Sequence, residues 1–149
     1  MIPKGAAIFF IVGLVAAGFL GIYLSQVENQ IPTLVYINGP SLAIIPEKIN
    51  YHSGEPIRIR IINSGTVPLL FSDSSYGLKI AQLDGTIIYS PISAQVISKL
   101  EPKGEKDFVW DQTKTDGSKT YQGRYKITSS ASTDSGDVLK KSVTINILK

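Results

Sequence analysis

The chain is predicted to be all-β, an antiparallel β-sandwich carried behind one N-terminal transmembrane α-helix. Three observations carry this expectation. Gly5 to Leu24 is a run of twenty residues without a charge, which at about 1.5 Å of helical rise per residue reaches about 30 Å, one bilayer crossing. Past Leu24 the apolar residues alternate in short runs rather than recurring at helical spacing. Turn residues punctuate those runs roughly every 8 to 12 positions.

The elements follow in chain order. Ile8 to Val12, Leu14, Val15, Phe19, Leu20, Ile22 and Leu24 give the apolar surface that hydrocarbon accepts, and a helix satisfies its own backbone there. Tyr23 falls at the outer end, where an amphipathic ring suits the interface. Lys4 and the α-amino group precede the run and the next basic residue is Lys48, so the charge bias places the N-terminus inside. The expected organisation is residues 1–4 in the cytoplasm, 5–24 across the cell membrane, 25–32 as a polar linker and 33–149 as an extracytoplasmic domain. Gly13, Ala17 and Gly21 recur every four residues and form a candidate helix-packing face. Two rival readings use the same residues. A cleaved signal peptide would need a shorter apolar core of about 7 to 15 residues, and its only small-x-small site, Ala16-Ala17-Gly18, lies within the run. Lys4-Gly5-Ala6 also has the form of a prepilin-type processing site, which would make the chain a filament or archaellum-type component.

The remainder, about 125 residues, suffices for one domain with a single core. It contains no cysteine, so neither a disulfide nor thiolate chemistry is available to it. Fifteen Lys and Arg against twelve Asp and Glu leave a formal charge of +3. The basic residues are dispersed along the sequence, which argues against a nucleic-acid partner.

Strands are expected at Leu34 to Asn38 and Leu42 to Ile45, with Gly39-Pro40 turning between them. His52 to Pro56 reads as a turn, and Ile57, Ile59 and Ile61 then alternate with Arg58 and Arg60 as a half-buried strand. Val67 to Phe71 is followed by Gly77 to Leu83 and Thr86 to Tyr89, the last two flanking the hairpin dipeptide Asp84-Gly85. Gln95 to Leu100, Lys106 to Trp110 and Gly123 to Ser129 come next, with Phe108 and Trp110 on one face and Tyr125 and Ile127 inward. Val138 to Leu148 closes the domain, its phase broken at Lys140-Lys141 by a bulge. Ser129 to Gly136 is expected to be a hairpin tip. Strands of this number and spacing point to the immunoglobulin-like kind of sandwich.

A set of turn and core residues carries a resemblance. Asn63-Ser64-Gly65, Pro68-Leu69, Phe71, Tyr76, Asp84-Gly85, Tyr89, Leu100, Pro102, Gly104-Glu105, Trp110-Asp111-Gln112, Asp116-Gly117 and Gly123-Arg124-Tyr125 resemble the intracellular proteinase inhibitor (BsuPI-like) domain. The resemblance covers about 65 residues, and the spacing from Trp110 to Tyr125 is its most specific part. It implies an immunoglobulin-like β-sandwich. The name also implies protease inhibition, but the resemblance supplies no reactive-loop motif to carry over to this chain.

Chemistry is sparse. The one histidine, His52, sits in a turn, so no Ser/His/Asp constellation and no zinc or copper ligand set is expected. Asp134-Ser135-Gly136-Asp137 and Asp73-Ser74-Ser75 lack the spacing of a defined calcium loop and read as turns. Asp107 with Asp111, and Glu101 with Glu105, read as solvated carboxylates. The sequence therefore predicts no catalytic, cofactor-binding or metal-binding residue, no cofactor and no small-molecule substrate. The function expected is a membrane-anchored extracytoplasmic binding or structural module that contacts another protein or an envelope assembly. The alternatives are a tethered protease inhibitor and a filament component.

Overall fold

The computed structural model describes residues 17–23 and 30–149. Residues 17–23 are helical, and among the described residues no helix is long and apolar enough to cross a membrane. Most of the expected transmembrane helix from Gly5 to Leu24, with Gly13, lies outside the described residues, as does most of the linker. Ala17 and Gly21 stand on the described helix, where a methyl group at Gly21 would meet no atom within 4 Å.

Ile31–Lys149 forms one compact unit. Its ten strands are β1 (Leu42–Pro46), β2 (Asn50–His52), β3 (Ile57–Asn63), β4 (Leu69–Phe71), β5 (Lys79–Gln82), β6 (Ile87–Tyr89), β7 (Ser98–Leu100), β8 (Glu105–Trp110), β9 (Gly123–Ser132) and β10 (Val138–Leu148). They build two sheets. The smaller is antiparallel, in the order β1-β3-β8; the larger runs β2-β10-β9-β4-β7, with β5 paired to β9 and β6 to β5.

Alternation along each strand decides what faces the core. Ile57, Ile59 and Ile61 of β3 are fully buried while Arg58 and Arg60 point out. From the opposite sheet Leu69, Ile80, Ile127, Ile145 and Ile147 enter the same cluster. Each such side chain contributes about 1.5–3 kcal/mol on burial. Trp110 stands edge-on to Tyr125, ring centroids 6.3 Å apart, and lies 5.8 Å from Tyr89. The large aromatics therefore join the two sheets, as the sequence predicts for Trp110 and Tyr125.

Several expected elements need correction. The pairing is not wholly antiparallel: β2 lies parallel to β10, Tyr51 opposite Ile147. The chain crosses there from the small sheet to the large one, held where the Asn146 N–H donates to the Ile49 carbonyl (2.8 Å) and the Asn146 amide to Asn50 Oδ1 (2.7 Å). His52, assigned to a turn, ends this strand. Leu34 to Asn38 is not a strand; Pro32 and Gly39-Pro40 bracket it, and proline has no N–H to donate. The strand from Gln95 contracts to Ser98–Leu100. No bulge interrupts β10, whose register with β9 is continuous from Val138 to Ile147. The irregularity lies in the β5–β6 hairpin, at Ile80/Ala81. β9 also runs on to Ser132, which shortens the expected tip.

Candidate binding face

The residues that carry the family resemblance form a structural network. Gln112, 1% exposed, accepts from the Gly54 N–H (2.9 Å) and donates to the carbonyls of His52 and Glu55 (2.8 Å each), stapling the β2–β3 turn to the end of β8. Trp110 Nε1 donates to the Thr113 carbonyl (2.8 Å), and Tyr125 Oη to the Tyr121 carbonyl (2.8 Å) in the manner of a tyrosine corner. Burial pushes the Tyr125 phenol upward. Asp111 and Asp116 cap turns: the Thr113 N–H holds Asp111 below the usual carboxylate range, and the Ser118 hydroxyl and N–H do the same for Asp116. These groups hold the turns and strand ends of the fold together.

Asn63 plays the same part across the sheets. Its amide donates to the Val67 and Leu100 carbonyls (2.8 Å each) and its Oδ1 accepts from the Gly65 N–H (3.0 Å). Gly65 packs so closely on the preceding segment that an added Cβ would stand 2.2 Å from the Gly39 carbonyl oxygen.

His52 is exposed, its Nδ1 2.9 Å from the Lys149 carbonyl. The acidic loops are closed on themselves. Asp73 binds the hydroxyl and N–H of Ser75, which lowers its pKa, and Asp137 accepts from Ser135 Oγ at 2.8 Å. Glu101 pairs with Lys99 (2.9 Å) and Glu105 with Arg60 (3.5 Å). Among the described residues no group of three His, Cys, Asp or Glu is placed to hold a metal ion.

The fold assembles something else. Lys79 on β5 stands opposite Thr128 on β9, and Lys140 on β10 stands opposite Ser130. Lys126 shares the outward phase of β9 with both, because Tyr125 and Ile127 on either side of it point inward. Lys141 falls on the inward phase yet stays exposed. With Gly77, Ala81, Thr128, Ser130 and Ser142 these four lysines line an open groove of about 520 Å³ on the outside of the large sheet. β5, β9 and β10 contain no Asp or Glu at all. Among the described residues no carboxylate pairs with Lys79, Lys126, Lys140 or Lys141. Reading the sequence linearly missed this face, since the lysines are separated by up to about sixty positions. The available signal was that three predicted strands each place a lysine on the outward phase with no acid beside it.

No protein-family model and no curated protein matches the chain. Among solved structures it is similar to Spo0M, a sporulation control protein from Bacillus subtilis, at 15% identity and a TM-score of 0.46. The alignment covers 76% of this chain and 51% of that one, so the chain spans about half the length of that protein.

Proposed function

We propose that the chain is a membrane-anchored, extracytoplasmic binding module of immunoglobulin-like, BsuPI-like architecture, which contacts another protein through the lysine face of its larger sheet. The observation that carries this reading is the segregation of charge: four lysines without carboxylate partners line one groove on a two-sheet body. Such a face is costly in self-repulsion and is used productively when an oppositely charged surface covers it. The uncharged run from Gly5 to Leu24 supports the anchor, and the position of Lys4 before it supports an outside location for the domain.

A photo-crosslinking residue at Thr128 tests the reading in the native membrane, with one at Arg58 as reference. A discrete protein adduct from position 128 and none from position 58 is the expected result. Absence of a protein adduct at position 128 would overturn it. A cleavable tag after Lys149, accessible to protease on intact spheroplasts, tests the orientation in the same cells.

A further inference from the structure

The lysines of the groove are spread over three neighbouring strands, so a ligand with several charges can meet more than one of them. Neighbouring strands lie about 4.8 Å apart and same-face residues about 6.8 Å apart along a strand. Lys126 and Lys79 are one strand and one such step apart, hence about 8 Å between Cα atoms by that geometry. Lys140, two strands from Lys79 and one step along, stands about 12 Å from it and about 14 Å from Lys126. Side chains as long as lysine can gather on one anion or spread over several at such spacings, and the length of the groove lets several anions be engaged at once. An extended peptide repeats side chains on one face every ~7 Å, close to the Lys126–Lys79 step, so alternate acids meet that pair while Lys140, on the third strand, reaches in from the side.

From this geometry we infer that the groove binds an extended acidic segment of the partner protein, rich in Asp or Glu at alternate positions. The inference rests on the protein-binding reading above and names the chemistry of what enters the groove. Ser130 and Ser142 add hydroxyls that can donate to or accept from the segment's backbone between the charged contacts, and Thr128, whose hydroxyl donates to the Lys79 carbonyl (3.4 Å), can accept. The other polyanions fit less well. Single-stranded nucleic acid is held by stacking bases on aromatic rings, and none of the residues lining the groove is aromatic. A bilayer surface is engaged by an apolar face set among basic residues, whereas Ile87 is the only large apolar side chain of this concave lining.

The test uses the full chain in neutral detergent and a fluorescent peptide of about ten residues alternating Glu and Ser, extended to about 33 Å. Anisotropy should report binding that weakens as salt rises. Combined Lys79→Glu, Lys126→Glu and Lys140→Glu should weaken it at least about tenfold, while Lys103→Glu, Lys106→Glu and Lys114→Glu, with the same change in net charge, should weaken it less than about twofold. The neutral set Lys79→Gln, Lys126→Gln and Lys140→Gln guards against a folding defect, and its melting temperature is read alongside. Equal losses from the two reversed sets would overturn the proposal, as would tighter binding of an oligothymidylate, a sulfated polysaccharide or phosphatidylglycerol vesicles than of the peptide. A crosslinked protein at position 128 together with peptide binding indifferent to the lysines would sink this inference alone. Peptide binding that depends on the lysines without any cellular adduct would instead sink the proposed function.

Discussion

The two sheets present outer faces of opposite character. On the smaller sheet Arg58 lies 3.7 Å from Glu47 and Arg60 3.5 Å from Glu105, so each cation on the outward row of β3 has a carboxylate on or beside a neighbouring strand. On the larger sheet Lys79, Lys126 and Lys140 share a face with threonine and serine, and their strands hold no acid. Both rows arise from the same in-and-out alternation, and both point away from the core. The difference lies in which strands the topology sets side by side. Charge balance on a sheet face is thus a property of strand order, and the small face meets solvent already neutralised while the β5–β9–β10 part of the large one does not, although Lys99 on β7 of that sheet is paired with Glu101.

The strongest way to break the comparison is to remove the core on which both faces rest. Trp110→Ala should destabilise the domain by about 3–5 kcal/mol, since it empties the site between Tyr89 and Tyr125 and abolishes the indole bond to Thr113. Denaturant unfolding followed by tyrosine fluorescence checks this, and a variant that melts with the wild type would refute the placement. Gln112→Ala comes next. It leaves the Gly54 N–H and the His52 and Glu55 carbonyls without their buried partner, an expected loss of about 1–3 kcal/mol. Amide exchange at Gly54 should accelerate in that variant while the β9–β10 ladder stays protected.

What the sequence made legible follows the same division. Ile57, Ile59, Ile61, Trp110 and Tyr125 were readable as core because alternation within one strand is local information, and Asp84-Gly85 was readable as a hairpin because a turn is four residues long. The parallel pairing of β2 with β10 was not, since only the crossing at Ile49 and Asn50, about a hundred positions from Asn146, decides it. Lys140-Lys141 suggested a bulge because two adjacent charges cannot both face out of a regular strand. The strand stays regular, and Lys141 remains exposed on the inward phase. The lysine face failed to show for the same reason as β2: β5 lies beside β9 through long-range pairing.

The turns can be separated from both faces by acid. Asp111, Asp73, Asp84 and Asp116 are each held below the ordinary Asp value, Asp111 and Asp84 chiefly by backbone N–H donors, Asp73 and Asp116 chiefly by serine hydroxyls. A carboxyl whose folded pKa is depressed contributes stability above its unfolded value, about 3.9, and loses it as pH falls through the lower folded value. The melting temperature should therefore be level from about pH 7 to 5 and decline below about pH 4. Asp111→Asn combined with Asp116→Asn should flatten that decline. An unchanged acid limb in the double variant would show that these caps do not set it.

The smallest effects discriminate best between the faces, because they differ in sign. Lys126→Glu places a carboxylate beside Lys79 among strands that hold no acid, so relief of repulsion and a new attraction act together. Arg60→Glu places one opposite Asp107 and near Glu105, where it loses an ion pair and meets like charge across the strand pair. Arg60 is exposed and Lys126 half-buried at the surface, and neither sits in the core, so each change is expected to be within about 0.5 kcal/mol. The first should raise the melting temperature and the second lower it, as differential scanning calorimetry at low ionic strength would resolve. Salt near 1 M, where the screening length shrinks to about 3 Å, should bring both variants back toward the wild type. Shifts of the same sign, or shifts that survive the salt, would mean that packing rather than charge distinguishes the faces, and the lysine groove would lose its claim to be held open for an anionic partner.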